Sequence, residues 1–533
     1  KLTLMGGSAA LNARGGMVEN TTVPGTTGDA AENKLILNTG AQTANAYGAE
    51  VKTKAGSATK NEVIINAGTV NGTIYGAALT NAAATGSATE NTVTITGGTM
   101  SDVYGGYTAG TGATTGNTVN LGDGQSAITA SINGVLYGGN QTTVTDNTLN
   151  VKTNATAGNI AHFDKVKFDL NSTINPANSL LTLNNGTQTT DLNWNKLEVD
   201  TSSLTGAGIK TYEPYKLNLI ENMAGIATTG YTGAKDSITD KFEYIIDTDS
   251  HAANATQYIT LEGYQFKDNT AATYAAADGT HTEGWAGRTK VGNKVENNKL
   301  TVTGGTLGAA AYGGLVENNK VGVTTGDAEK NTIAISGGTV TNAYGAEVRT
   351  KAGRATENTA EITGGMVTGD VHGAALTAAG ATGSVTKSMV NISAGASVTG
   401  DVYGGRIIDA GATGSVTGST LNLTGGTVNG TIYAAHTNGT GGTLHDVYGG
   451  FANGTGTTTG NTVNLGTETT AFTATSVGTI YGGNKAEATD NTLNVNSRGA
   501  GATDVKNFEN VNFDVAHNVS HGDTMLTLTN GAN

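Results

Sequence analysis

The chain has 533 residues, 80 of them glycine and only 3 proline, with a net charge of −14 and no cysteine. The acidic balance argues against a nucleic-acid partner, whose phosphates require a basic face, and the missing thiols exclude disulfides and cysteine chemistry. Aromatic content is 5 % and charged content 14 %, a composition that favours disorder, but Val and Ile recur at every second place too regularly for a disordered linker.

The chain opens on Lys1-Leu-Thr-Leu4 and then settles into a repeated unit. Its clearest copy is Asn91-Thr-Val-Thr-Ile-Thr-Gly-Gly-Thr-Met-Ser-Asp-Val-Tyr-Gly-Gly106. Val93 and Ile95 alternate with Thr92, Thr94 and Thr96, which predicts a strand with one buried face. Gly97 and Gly98 turn the chain, and a second strand runs through Val103 to Tyr104. The tyrosine recurs at Tyr47, Tyr75, Tyr104 and Tyr137, at gaps of 28, 29 and 33 residues. The leading asparagine recurs at Asn33, Asn61, Asn91, Asn117 and Asn147, at gaps of 28, 30, 26 and 30. A unit this short cannot bury its own apolar side, so the period predicts units stacked as coils. No unit carries a helical period. No apolar run reaches the length of a membrane helix.

The pattern assigns faces. Ala46, Ile74, Val103 and Leu136 precede the tyrosines and point inward, which places the tyrosines outward. The asparagines are expected to bond from coil to coil as a turn ladder. Corner glycines are expected to supply positive φ. These columns run through residues 1–187. From 188 to 292 they stop, and an interposed, aromatic-richer β region carries both tryptophans, Trp194 and Trp285. Residues 293–533 begin again: Lys299-Leu-Thr-Val-Thr-Gly-Gly305 repeats Lys1-Leu-Thr-Leu-Met-Gly-Gly7 at an offset of 298. The Tyr137-Gly-Gly-Asn140 copy, Tyr481-Gly-Gly-Asn484, lies 344 further on because coils are added near Tyr433 and Tyr448. A one-dimensional stack tolerates such insertions and a closed barrel does not. The final Leu526-Thr-Leu-Thr-Asn-Gly531 is again mid-repeat, so the sequence reads as a fragment of a longer protein.

The repeats of the type Ala67-Gly-Thr-Val-Asn-Gly-Thr-Ile-Tyr-Gly76 are followed by Phe163-Asp-Lys-Val-Lys-Phe-Asp169, Leu180-Leu-Thr-Leu-Asn-Asn-Gly186 and Leu217-Asn-Leu-Ile-Glu-Asn-Met-Ala-Gly225. Together they resemble the passenger domains of classical (type V) autotransporters of Gram-negative bacteria. The resemblance covers nearly the whole chain. It implies a right-handed parallel β-helix, export to the bacterial cell surface, tethering by a C-terminal outer-membrane barrel that this sequence does not contain, and adhesion to a host-cell or bacterial surface protein or glycan.

Chemistry-bearing motifs are sparse. There is no Gly-Asp-Ser-Gly protease signature and no Gly-x-Ser-x-Gly elbow. His517 and His521 are four apart but lack a zinc-site frame. No cofactor or metal is expected. The best enzyme candidates are Asp370 and Asp401, equivalent positions in successive units, since close carboxylates can share a proton and act on glycosides; solvated surface acids are the competing reading. The best binding candidates are the tyrosine column, Tyr75, Tyr104, Tyr403 and Tyr433, and the two tryptophans; rings stacked merely to cover a corner are the alternative. The loops Glu50-Val-Lys-Thr-Lys54 and Glu347-Val-Arg-Thr-Lys351 read as solvated basic faces. Three functions follow: an adhesin presenting repeated loops, a structural spacer without binding of its own, and a polysaccharide-active enzyme.

Overall fold

The computed structural model describes residues 1–9, 11–20, 27–141, 145–171, 173–184, 192–200, 210–222, 224–226, 235–238, 241–250, 257–318, 325–393, 395–423, 427–428, 432–433, 436–437, 447–449, 451–452, 457–465, 478–483, 489–515 and 519–530. The chain is all-β, and stacked parallel strands form a β-solenoid. Among the described residues the only helical elements are two 3-10 turns, Trp194–Lys196 and Ala276–Asp278. Two compact units are present: Lys1–Ala207 with Lys216–Ser237 and Tyr244–Glu262, and Gly208–Tyr215 with Ile238–Glu243 and Gly263–Asn533.

In the first unit, one eight-stranded sheet takes one strand from each turn, from Leu2–Leu4 through Lys34–Leu37, Glu62–Ile65, Thr92–Ile95 and Thr118–Leu121 to Leu197–Asp200. Every neighbour pair is parallel and in exact repeat register: Val93 faces Val63 and Val119, and Ile95 faces Ile65 and Leu121. The alternation read from sequence therefore becomes two inward columns of Val, Ile and Leu, with Phe168, that are fully buried from Leu35 to Leu197 and from Leu37 to Phe168. Each such side chain contributes roughly 1.5–3 kcal/mol on burial. A charge at Ile95 would break its turn. A second sheet holds Ala41–Thr43, Thr69–Val70, Gly97–Met100 and Thr129–Ile132; a third holds Ala46–Val51, Ile74–Leu79, Val103–Thr108 and Val135–Tyr137.

The second unit repeats this plan. Its longest single-file sheet runs over ten strands from Ala272–Tyr274 to Asn510–Phe513. Ala272–Tyr274 and Thr280–Thr289, which lie inside the interposed segment of the sequence, already pair in parallel register with the second array.

The asparagine column forms the expected ladder. The Asn91 Oδ1 accepts the backbone N–H of Asn61 at 2.9 Å and its Nδ2 at 3.0 Å, and Asn117 and Asn147 repeat the pattern. Each amide also donates back to a carbonyl of the preceding turn, as Asn91 does to Ala58 at 3.1 Å. In the second unit Asn298, Asn331 and Asn358 continue likewise, and Ser388 and Ser419 then occupy the column. Both hydroxyls are buried without a partner.

The glycines follow two rules. Gly68 and Gly98 adopt the expected positive φ, at +100° and +95°. At the asparagine corner, however, the positive φ falls on Glu32, Lys60, Glu90 and Asp146, at +57°, +56°, +56° and +58°. There the ladder outweighs the left-handed penalty of about 1–2 kcal/mol. Gly76, after the tyrosine, has an ordinary φ; it is glycine because a Cβ would lie 2.3 Å from the carbonyl oxygen of Gly105 in the next turn.

Candidate functional site

The third sheet of the first unit and its counterpart in the second each carry an aromatic ladder. Parallel register sets Tyr75 between Tyr47 and Tyr104, and Tyr104 beside Tyr137. Ring centroids are 4.9, 5.5 and 4.3 Å apart down this column, with planes within 16° of parallel. Strand spacing alone gives about 4.8 Å, so the backbone imposes the stack. Tyr107 packs edge-on against Tyr75 and Tyr104, at 5.3 and 5.5 Å. Arg14 takes the ring position in the first turn, lies over Tyr47 at 5.5 Å and pairs with Glu50.

In the second unit the column begins at Trp285, in register with Tyr312, and continues through Tyr344, His372 and Tyr403. Centroids are 5.3, 4.6 and 4.9 Å apart from Tyr312 to Tyr403. Arginines lie over the rings: Arg288 at 4.5 Å from Trp285, Arg349 at 5.7 Å from Tyr312 and Arg406 at 4.0 Å from Tyr403.

The rings lie on the side of the strand opposite the buried Ile74 and Val103, as alternation requires, but their neighbours cover them there. Tyr75 and Tyr104 are half-buried, while Tyr403 and Trp285 are buried, at 3 % and 5 % exposure. A sugar stacks on a ring face, and both faces of Tyr104 are taken by Tyr75 and Tyr137. Edges and hydroxyls are what the column offers. Tyr433 pairs by backbone with Tyr403 and Tyr448; its side chain and that of Trp194, in the 3-10 turn Trp194–Lys196, lie outside the described residues. Burial, followed by the charge of Glu50, pushes the Tyr47 hydroxyl up to about 12. Burial likewise raises Tyr75, Tyr104, Tyr312 and Tyr344.

Asp370 and Asp401 do lie in successive turns, but each carboxylate is engaged. The Asp370 Oδ1 accepts the backbone N–H of Asp401 at 2.9 Å, and its Oδ2 accepts the Arg406 guanidinium at 3.1 Å. The Asp401 Oδ2 accepts the Tyr403 hydroxyl at 3.0 Å. Asp102 works the same way, taking the backbone N–H of Val135 at 2.8 Å, as Asn45 takes that of Thr73. The column is thus a second turn ladder, in which a side-chain oxygen satisfies a corner amide of the next turn. Asp446 lies outside the described residues.

In the loops read as basic and solvated, Lys54 and Lys351 are exposed, whereas Arg349 and Lys52 are paired. Arg349 bonds Glu317 at 2.8 Å, Glu347 at 2.9 Å and the Tyr312 hydroxyl at 2.9 Å, and Arg288 bonds Glu317 at 2.8 Å. Lys52 reaches Glu19 at 3.2 Å. Sequence reasoning passed over the column three residues after each ring, which carries Glu50, Tyr107, Arg288, Glu347 and Arg406. Reading that column at the tyrosine period would have revealed the cations and edge-on rings flanking the ladder. Among the described residues, no group of three His, Asp or Glu is placed to hold a metal; His517 lies outside them.

Comparison of the chain with family profiles, with curated proteins and with solved structures gives no match.

Proposed function

We propose that this chain is an exported surface passenger of the adhesin kind, a stack of turns that holds repeated polar stripes out for weak multivalent attachment to a protein or glycan on a host or neighbouring cell. One observation carries the reading: outward residues fall in register turn after turn. On the outer face of the eight-stranded sheet, Thr94, Asn120 and Asn150 form a continuous row, bonded at 3.1 and 2.8 Å. Asn464, Asn494 and Asn512 do the same in the second unit. Repeated equal sites raise avidity without needing one strong contact. In this reading the protein acts outside the bacterial cell, anchored through an outer-membrane barrel supplied by a longer parent chain.

The engagement of Asp370 and Asp401 in corner hydrogen bonds weighs against a carbohydrate-cleaving role for that pair. The covered ring faces favour the spacer reading over one in which the tyrosines bind ligand directly. The test is attachment of beads coated with the purified chain to epithelial cells, to matrix proteins and to bacteria. Adhesion that rises steeply with coating density supports the adhesin. Beads that bind none of these surfaces leave the spacer.

A further inference from the structure

In the first unit the second sheet of the stack is interrupted, and a cleft opens there. The second sheet ends at Thr129–Ile132; the equivalent strand of the next turn, Ala155–Ala157, belongs to a different sheet, with Leu181–Leu183, Tyr215–Asn222 and Gln257–Gln265 following it in order. The third sheet meanwhile continues unbroken across the same two turns, from Val135–Tyr137 to Asn159–Ala161. The two turns are joined on one side and unpaired on the other, and beside that break lies a cleft of about 490 Å³, bounded by Ile128 and Ala130 on one wall. That volume is within the range of about 300–1,000 Å³ typical of small-molecule sites.

The floor is polar and ordered. Thr156, Thr182 and Glu221 stand side by side on three adjacent parallel strands and line the cleft. Glu221 is there because the strand breaks its alternation: Leu219 and Ile220 are both fully buried, so Asn218 and Glu221 both reach the open side. Such irregularities commonly re-aim side chains at functional sites. The Glu221 Oε2 accepts the Ser179 hydroxyl at 2.7 Å, which fixes the carboxylate. Asn154 is pinned by bonds to Asn175, at 2.6 and 3.1 Å, and so holds its wall in place. Tyr258, half-buried, supplies the aromatic surface. Among the described residues, no lysine or arginine lines the cleft.

We propose that this cleft binds a saccharide of the neutral or amino-sugar class. Hydroxyl, amide and carboxylate groups in a row suit a polyhydroxylated ligand, and tyrosine offers both a flat apolar face and a hydroxyl. Glu221 selects for a protonated amine and repels uronates and sulfated sugars, which have no cation to meet. The inference gives the attachment reading its ligand class and rests on that reading for its biological role.

The experiment is calorimetric titration of the purified chain with a glucosamine tetramer, a neutral cellotetraose and an oligogalacturonate. Saturable binding of the first two and none of the third is expected. Glu221→Gln lowers affinity for the glucosamine tetramer about fivefold or more and leaves the neutral probe within twofold. Tyr258→Ala lowers both at least tenfold. Thr182→Lys, an outward change that spares the core, blocks both and guards against a folding artefact at Tyr258. Absence of saturable binding to the neutral and amino probes overturns the site, as does binding indifferent to Glu221→Gln and Thr182→Lys, or preference for the uronate. Sugar binding by a chain whose beads attach to no cell supports the site and counts against the adhesin.

Discussion

His372 makes the aromatic ladder sensitive to acid. It stands where the other turns carry tyrosine, between Tyr344 and Tyr403 at 4.6 and 4.9 Å, and is 1 % exposed. Its Nδ1 is buried without a hydrogen-bond partner. Burial, followed by the charge of Arg406, holds its pKa well below the usual value of 6.5. Two effects oppose this shift. Ring faces attract a cation by roughly 0.5–2 kcal/mol, and the Asp370 Oδ2 lies 4.0 Å from Nε2. Arg406 weakens both, since it already bonds Asp370 at 3.1 Å and covers Tyr403 at 4.0 Å. Desolvation then decides the sign.

A histidine depressed in the fold binds its proton more readily when unfolded. Its neutral form costs nothing above about pH 6.5; below that, stability falls by about 1.4 kcal/mol per pH unit until the folded group itself titrates. Between pH 7.5 and pH 5.0 the loss from this one residue is therefore at most about 2 kcal/mol. His372→Tyr removes it. The new hydroxyl has a precedent, since Tyr403 donates to Asp401 at 3.0 Å and Asp370 sits two residues before position 372 just as Asp401 does before Tyr403. A repeat array need not unfold in one step, so the measurement is amide hydrogen exchange over Val371–Leu376 at both pH values. The wild type should lose more protection free energy than His372→Tyr, by up to about 2 kcal/mol. Equal losses in the two proteins, or a His372 ring that titrates near 6.5 by NMR, would refute the reasoning.

Three further outcomes are expected. Asn91→Ala removes one of the acceptors of the Asn61 side-chain amide and strips the partner from the Asn61 backbone N–H and from the Ala58 carbonyl; two buried groups left unpaired cost about 2–4 kcal/mol, read as lost exchange protection in the turns on either side. Gly76→Ala drives a Cβ to within 2.3 Å of the Gly105 carbonyl and should destabilise its turn by about 1–3 kcal/mol; a neutral result by denaturation would contradict the account of that glycine. Ser388→Asn restores a rung where a buried hydroxyl has no partner. It should stabilise the second unit by about 1 kcal/mol, visible as a higher urea midpoint.

The stack was legible because its cause is local and periodic. Val93 and Ile95 alternate within four residues, and the return of Asn and Tyr near every thirtieth residue requires each turn to lie on the last. Side-chain order across turns was legible only in part. The asparagine ladder followed from the column itself, since an amide carries both a donor and an acceptor and can bond the same group above and below. The tyrosine column was read with the right register and the wrong exposure. Alternation places a side chain on the outer face of a strand, but it does not say what covers that face, and Arg406 and Tyr107 cover it from three residues away. Position 32, 60 or 90 gives no sign of a left-handed backbone, because Glu and Lys do not favour it; the asparagine that follows forces it. The cleft was least legible of all. It depends on a ladder that fails to form between two turns and on a break of alternation at Leu219 and Ile220, and one failed pairing leaves no periodic trace. A site built on such an interruption occurs singly among many equal turns, so function on a regular stack is best sought where register is lost on one face and kept on the next.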